Sequence, residues 1–129
     1  MKIVNFKTIF VLFGLLLTSK AFADGNELLQ QCQNAVRFID GAAQSLLVDA
    51  GECLGTVQGT VDTLEIARHT FATDKSHPIG PMICWPQQVV PKAQSVRIIV
   101  KYLEDNPKDL SLNGSTLVIL ALSNAYPCR

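Results

Sequence analysis

Four cysteines constrain the fold of this chain more than any other feature. Cys32 and Cys53 have 20 residues between them, and Cys84 and Cys128 have 43. An even number of cysteines in a small exported domain favours disulfides, whereas thiols of cytosolic proteins are kept reduced. No two cysteines have the close spacing of a zinc knuckle, so metal binding is the weaker alternative. The sequence therefore predicts two disulfides, provided that the chain is exported.

Residues 1–23 have the organisation of a secretory leader. Two lysines precede an apolar run at 9–17, and a small-x-small cleavage site follows at Ala21-Phe22-Ala23. The run is too short to cross a bilayer, although a retained anchor is the alternative. We therefore expect a cleaved signal peptide and a single mature domain at 24–129.

The charge of the mature domain argues against a nucleic-acid partner. The chain has 11 basic and 11 acidic residues, and cleavage would remove Lys2, Lys7 and Lys20. That leaves 8 basic residues against 11 acidic ones and a formal charge of about −3. Phosphate binding needs a basic surface, so this class of function is disfavoured.

Apolar residues recur at three- and four-residue intervals in four segments of the mature chain, which predicts an all-α bundle. No stretch alternates with the two-residue period of a strand. Four helices are expected, up to five with short extra turns, and their predicted bounds are 27–39, 44–71, 91–104 and 107–125. Asn26 and Asn106 are the expected N-caps of the first and fourth helices.

The helical pattern also bears on the disulfides. Four cysteines allow three pairings, and the sequence alone does not choose among them. An antiparallel third and fourth helix would bring Cys84 and Cys128 together, while Cys32 and Cys53 could join the first two helices. This arrangement favours Cys32–Cys53 with Cys84–Cys128, a disulfide-stapled bundle.

Glycines recur every four residues in the second helix, at Gly51, Gly55 and Gly59. Each costs up to about 1 kcal/mol of helix propensity, so a compensating role is expected. We predict that Gly55 and Gly59 pack closely against another helix. The alternative is that Gly51 starts the helix and the other two are incidental.

Catalytic candidates are few. Asp62, Glu65 and His69 share one face of the second helix and could bind a metal or relay a proton, but such spacings more often mark a solvated edge. No hydrolase elbow, zinc-protease pair or phosphate loop is present. The sequence therefore predicts no catalytic residues, no metal and no cofactor, hence a protein that is not an enzyme.

Several motifs extend over the mature chain in a fixed order. They are Cys53-Leu54-Gly55, Ile83-Cys84-Trp85-Pro86, residues 100–107 and residues 121–128. Together they resemble the Rap/Tai immunity proteins of bacterial type VI secretion. The chain departs from the family pattern at Thr56, where an aromatic residue is common, and at Val90-Pro91, where a hydroxyl N-cap is frequent.

The resemblance implies a small helical protein of the periplasm, often a homodimer, that inhibits a peptidoglycan amidase effector from neighbouring cells. Residues 72–90 are rich in helix breakers and are expected to form a loop. Long loops are often functional, so this one holds the candidate partner-binding residues Asp74, Lys75, Ser76, His77, Pro78, Ile79 and Met82. The alternative is that this loop only covers the end of the bundle. A periplasmic acid chaperone, or another non-enzymatic binding module, is the alternative function.

Overall fold

The computed structural model describes residues 24–71 and 82–128, and within these ranges the protein is all-α, as predicted. Its four α-helices are α1 (Gly25–Ile39), α2 (Leu47–Phe71), α3 (Lys92–Asp105) and α4 (Gly114–Ala125). Short 3-10 turns at Gln44–Leu46 and Pro107–Ser111 precede α2 and α4. None of the helices in the described ranges combines the length and the apolar character that a membrane span needs.

Helix α1 is the centre of the bundle, because it packs against α2 and α3 and also touches α4. The side chain of Asp24 caps its N-terminus by accepting a hydrogen bond of 3.0 Å from the backbone N–H of Glu27. The cap therefore lies two residues before the predicted Asn26. Gly41 follows the helix with φ +89°, a conformation that glycine adopts without strain.

All four helices contribute to one apolar core, which explains why the three- and four-residue periodicity was informative. The fully or nearly fully buried apolar residues are Leu28, Cys32, Ala35, Ala50, Cys53, Val57, Val96, Ile99, Leu103, Leu117, Val118, Ala121 and Leu122. No residue of α2 after Thr60 is buried among those described, so the second half of α2 contributes little to this core.

Both predicted cysteine pairings are confirmed. Cys32 and Cys53 join α1 to α2 with their Cα atoms 5.1 Å apart, and Cys84 and Cys128 join the segment before α3 to the end of α4 at 5.0 Å. Both distances lie within the usual range for a disulfide. The two bridges therefore fasten different pairs of elements.

The fourth helix begins later than predicted. Asn106 does not cap it; its side-chain amide instead donates to the carbonyl oxygen of Tyr102 at the end of α3. The chain then passes through a 3-10 turn, and Asn113 caps α4 by accepting from the backbone N–H of Thr116 at 2.9 Å. Asn106 and Pro107 do mark the start of a helical turn, as predicted. That turn is the 3-10 turn at Pro107–Ser111 and not α4.

The prediction that Gly55 and Gly59 pack closely against another helix of the same chain is wrong. No atom lies within 4 Å of the position that a Cβ would take at Gly51, Gly55 or Gly59. The glycines lie on the outward side of α2, because the inward positions are taken by Cys53 and Val57. Period alone identified a glycine stripe but not the direction in which it points.

Candidate functional site

A groove lies between α2 and the segment after Cys84. Its volume is about 470 Å³. The apolar residues of its lining are Val57, Val61, Trp85, Pro86, Val89 and Val90, and its amide side chains are Gln58, Gln87 and Gln88. Val89 is 93% exposed, more than any other large apolar side chain in the described ranges.

The end of α4 holds one wall of this groove in place. Next to the Cys84–Cys128 bridge, the backbone N–H of Cys84 donates to the carbonyl oxygen of Tyr126 at 3.0 Å. The ring of Trp85 lies 5.2 Å from that of Tyr126, tilted by 43°. The side-chain amide of Gln94 donates to the Tyr126 hydroxyl at 3.3 Å. One covalent bond and three weaker contacts therefore position Trp85.

A second, shallower groove lies between α2 and α4. It has a volume of about 450 Å³, and its lining includes Gly55, Gly59, Ser115 and Ile119. Because the two glycines have no side chain, nothing projects from α2 into this groove at their positions. The glycines thus shape an open groove on the protein surface.

Acidic side chains line the contact between α1 and α2, but they already have amide partners. The amide of buried Gln31 donates to Glu27 at 3.2 Å and to Glu52 at 2.7 Å. Asn34 donates to Asp49 at 2.6 Å. No buried side-chain nitrogen or oxygen in the described ranges lacks a partner. These carboxylates therefore help to hold the two helices together.

The three candidates for catalysis on α2 remain on one helix face, each with an ordinary surface partner. Asp62 accepts from Gln58 at 2.6 Å, and Glu65 pairs with Arg68 at 2.9 Å. His69 Nε2 lies 3.8 Å from Glu65 and is well exposed. No group of three or more His, Cys, Asp or Glu side chains in residues 24–71 and 82–128 could hold a metal ion. This arrangement is typical of a solvated helix edge.

The candidate contact residues fall mainly outside the described ranges. Asp74, Lys75, Ser76, His77, Pro78 and Ile79 all do, and only Met82 is described, with 53% of its surface exposed. Sequence reasoning missed the groove formed by residues 86–90. The available signal was that Trp85 and Tyr126 each lie within two residues of a paired cysteine.

The fold defines a class: a small helical protein stapled by two disulfides, with open grooves on its surface. The sequence matches the Rap1a immunity proteins over residues 24–128, and the chain belongs to that family. Neither the curated proteins nor the solved structures contain a match to it. Family membership indicates an exported immunity protein that acts against a secreted toxin effector.

Proposed function

We propose that the protein is a periplasmic immunity protein that binds and inhibits a peptidoglycan amidase delivered by type VI secretion. It would protect the producing cell and its kin from their own toxin. The family match over residues 24–128 carries this proposal, and the Rap/Tai motifs add the amidase as the target. Inhibition by binding agrees with the ordinary surface pairing of Asp62, Glu65 and His69.

The periplasm is the proposed compartment for two reasons. Residues 1–23 have the pattern of a cleaved leader, and their placement lies outside the described ranges. Both cysteine pairs are at bonding distance, and such bonds persist in oxidising compartments. The immunity protein would then be located where an amidase reaches the cell wall.

We further propose that segment 74–82 contacts the effector. Its exposed end at Met82 is close in sequence to Trp85, which lines the 470 Å³ groove. Apolar side chains on a constrained scaffold suit a protein partner, because they bind with little loss of conformational freedom.

A homodimer is also proposed. The outward face of α2 carries Val48 and Ile66, which are 69% and 67% exposed, with Gly55 and Gly59 between them. Helix glycines with open space at the position of a Cβ would let a second copy approach closely. In ultracentrifugation, Gly55→Leu should then shift the dimer towards monomer while the helical content stays unchanged. An intact Gly55→Leu dimer would place the interface elsewhere.

The function can be tested with a type VI peptidoglycan amidase effector, and a toxin gene next to the gene of this protein would be the first to try. Cells that export the toxin to the periplasm should survive when they also express this chain, and the purified chain should inhibit hydrolysis of peptidoglycan. A version without residues 1–23 is the matched control and should not protect, because it stays in the cytosol. Lysis despite expression, together with uninhibited hydrolysis, would refute the proposal. An acid chaperone would instead bind an apolar dye at low pH.

The contact segment has a test of its own. Replacement of residues 74–82 by a Gly/Ser linker of equal length should abolish protection and leave the circular dichroism of the bundle unchanged, because the buried core lies in α1 to α4. Lys101→Ala, a surface change on α3, is the control and should protect fully. Full protection by the linker variant would place the contact elsewhere, as on residues 104–109 or on a dimer surface.

A further inference from the structure

The two disulfides differ sharply in their access to solvent. Cys32 and Cys53 are both fully buried in the core. Cys84 and Cys128 are both exposed. Thiol–disulfide exchange requires that an attacking thiolate reach a sulfur atom along the S–S axis, so access controls the rate at which each bridge is reduced. An external thiol is therefore expected to reduce the second bridge without unfolding the bundle, and the first only after the core opens.

The exposed bridge lies where it controls the groove. Trp85, Pro86, Val89 and Val90 form one wall, and this wall follows Cys84 directly in the chain. The opposite wall, with Val57 and Val61, belongs to α2, which is fastened independently by Cys53. Loss of the exposed bridge would therefore act on one wall and leave the other in place.

Without the bridge, the remaining contacts of this wall with the end of α4 are weak. They include the 3.0 Å hydrogen bond from Cys84 to Tyr126 and the ring contact between Trp85 and Tyr126, while the half-buried Trp85 side chain also packs against the core. A net hydrogen bond and an aromatic pair each contribute only about 1 kcal/mol, which is small beside the entropy of freeing several residues. Without the bridge, the wall segment would therefore be held less firmly against α2.

We propose that the Cys84–Cys128 disulfide is a redox-sensitive clamp on the Trp85 groove, opened selectively by an external dithiol of the thiol–disulfide oxidoreductase class. A thiolate of that dithiol attacks one Sγ of this bridge, the S–S bond breaks, and the electron pair leaves on the other Sγ, which takes up a proton. The second thiol of the reductant then attacks the mixed disulfide and releases the second cysteine. The protein gains two electrons and two protons, and the dithiol becomes a disulfide.

The proposal does not depend on the identity of the effector and can be tested on the purified mature protein with dithiothreitol as the dithiol. After short reduction and alkylation, mass mapping should find the label on Cys84 and Cys128, with reduction at least about tenfold faster than at Cys32 and Cys53. Trp85 is the only tryptophan of the chain and therefore reports on the groove. Its emission should shift to the red while the helical circular dichroism is retained, and reoxidation should reverse the shift.

The double variant Cys84→Ser with Cys128→Ser is the matched control, and its emission should equal that of the reduced protein before any reductant is added. Reduction of all four cysteines at one rate would overturn the proposal, because access would then depend on unfolding. Selective reduction with unchanged Trp85 emission would also overturn it, since the groove would not depend on the clamp. Loss of helical signal on selective reduction would make the bridge a general staple and would equally refute it.

Discussion

Gly25 and Gly55 differ in the space around the position that a Cβ would take. A Cβ at Gly25 would lie 2.7 Å from the backbone Cα of Leu110 and 2.5 Å from a side-chain carbon of Leu117. A Cβ at Gly55 would meet open space. Gly25 is thus required by close packing between the start of α1 and the turn before α4, whereas Gly55 has no such constraint inside the chain.

A substitution at Gly55 should therefore stabilise the monomer. Gly55→Ala adds helix propensity without a clash, so the free energy of unfolding should rise by about 0.5–1 kcal/mol. Chemical denaturation at a protein concentration low enough to keep the chain monomeric would measure the change. Gly25→Ala is the matched control and should destabilise by more than 1 kcal/mol through overpacking. A fall in stability for Gly55→Ala would mean that α2 packs differently at this face.

Tyr102 carries a shifted pKa of structural origin. Burial raises the pKa of its phenol above the usual value near 10, and the hydrogen bond of 3.1 Å to Asp109, with the charge of that carboxylate, raises it further. The folded state therefore holds the proton more tightly than the unfolded state does. The stability that this pair contributes is complete below about pH 10 and is lost as the pH rises through the higher folded value.

The variant Tyr102→Phe isolates this contribution. At pH 7 it should lose about 0.5–1.5 kcal/mol of unfolding free energy, the net value of one hydrogen bond. Above pH 10 the wild type should lose stability more steeply than the variant, since only the wild type carries the shifted group. Urea denaturation at pH 7, 10 and 11 would measure both effects, and the retained Tyr126 is common to both proteins. Parallel pH profiles would contradict the assignment.

At the scale of elements, the connection between α3 and α4 shows what an N-cap residue in the sequence does and does not predict. Two asparagines could each start a helix, but Asn113 caps α4 while Asn106 contacts the last turn of α3. The difference arises because the 3-10 turn Pro107–Ser111 lies between them and packs against α1 and α3. Local cap signals thus indicate that a helical turn begins, and its tertiary contacts decide which kind of turn it is.

The cap at Asn113 can be tested directly. Asn113→Ala removes the acceptor for the backbone N–H of Thr116 and should lower the unfolding free energy by about 1 kcal/mol. Asn113→Asp keeps an acceptor and adds a favourable charge at the helix N-terminus, so it should cost nothing measurable. Thermal denaturation of the two variants and the wild type would measure the stability that each substitution removes. Equal losses in the two variants would show that the hydrogen bond is not responsible.

At the scale of the whole molecule, two covalent bridges and one small core share the stabilisation. The chain-entropy model gives about 3 kcal/mol for the shorter Cys32–Cys53 loop and about 4 kcal/mol for the Cys84–Cys128 loop. These are large fractions of the 5–15 kcal/mol typical of a domain. Loop length alone would make the Cys84–Cys128 bridge the more stabilising one. Burial reverses this order, because removal of Cys32 and Cys53 also leaves a void in the core.

We therefore expect that Cys32→Ala with Cys53→Ala destabilises more than Cys84→Ser with Cys128→Ser, although its loop is shorter. The void should add on the order of 1 kcal/mol for each removed sulfur to the loop contribution. Denaturant midpoints of the two double variants would decide, with the oxidised wild type as the reference. A less stable Cys84/Cys128 variant would show that loop length outweighs burial.

The sequence by itself determined the helical class and the presence of four helices, and the expected helical hairpin favoured the two disulfide pairings among three. Periodicity and spacing carry these predictions over one helix or one hairpin, whereas the family resemblance comes from the motifs and their order. Only the tertiary structure decided that Gly55 faces outward, that α4 starts at Gly114, and that Trp85 forms a groove beside an exposed bridge. The physical reason is that such features depend on which helix faces meet, and packing between distant segments sets those faces.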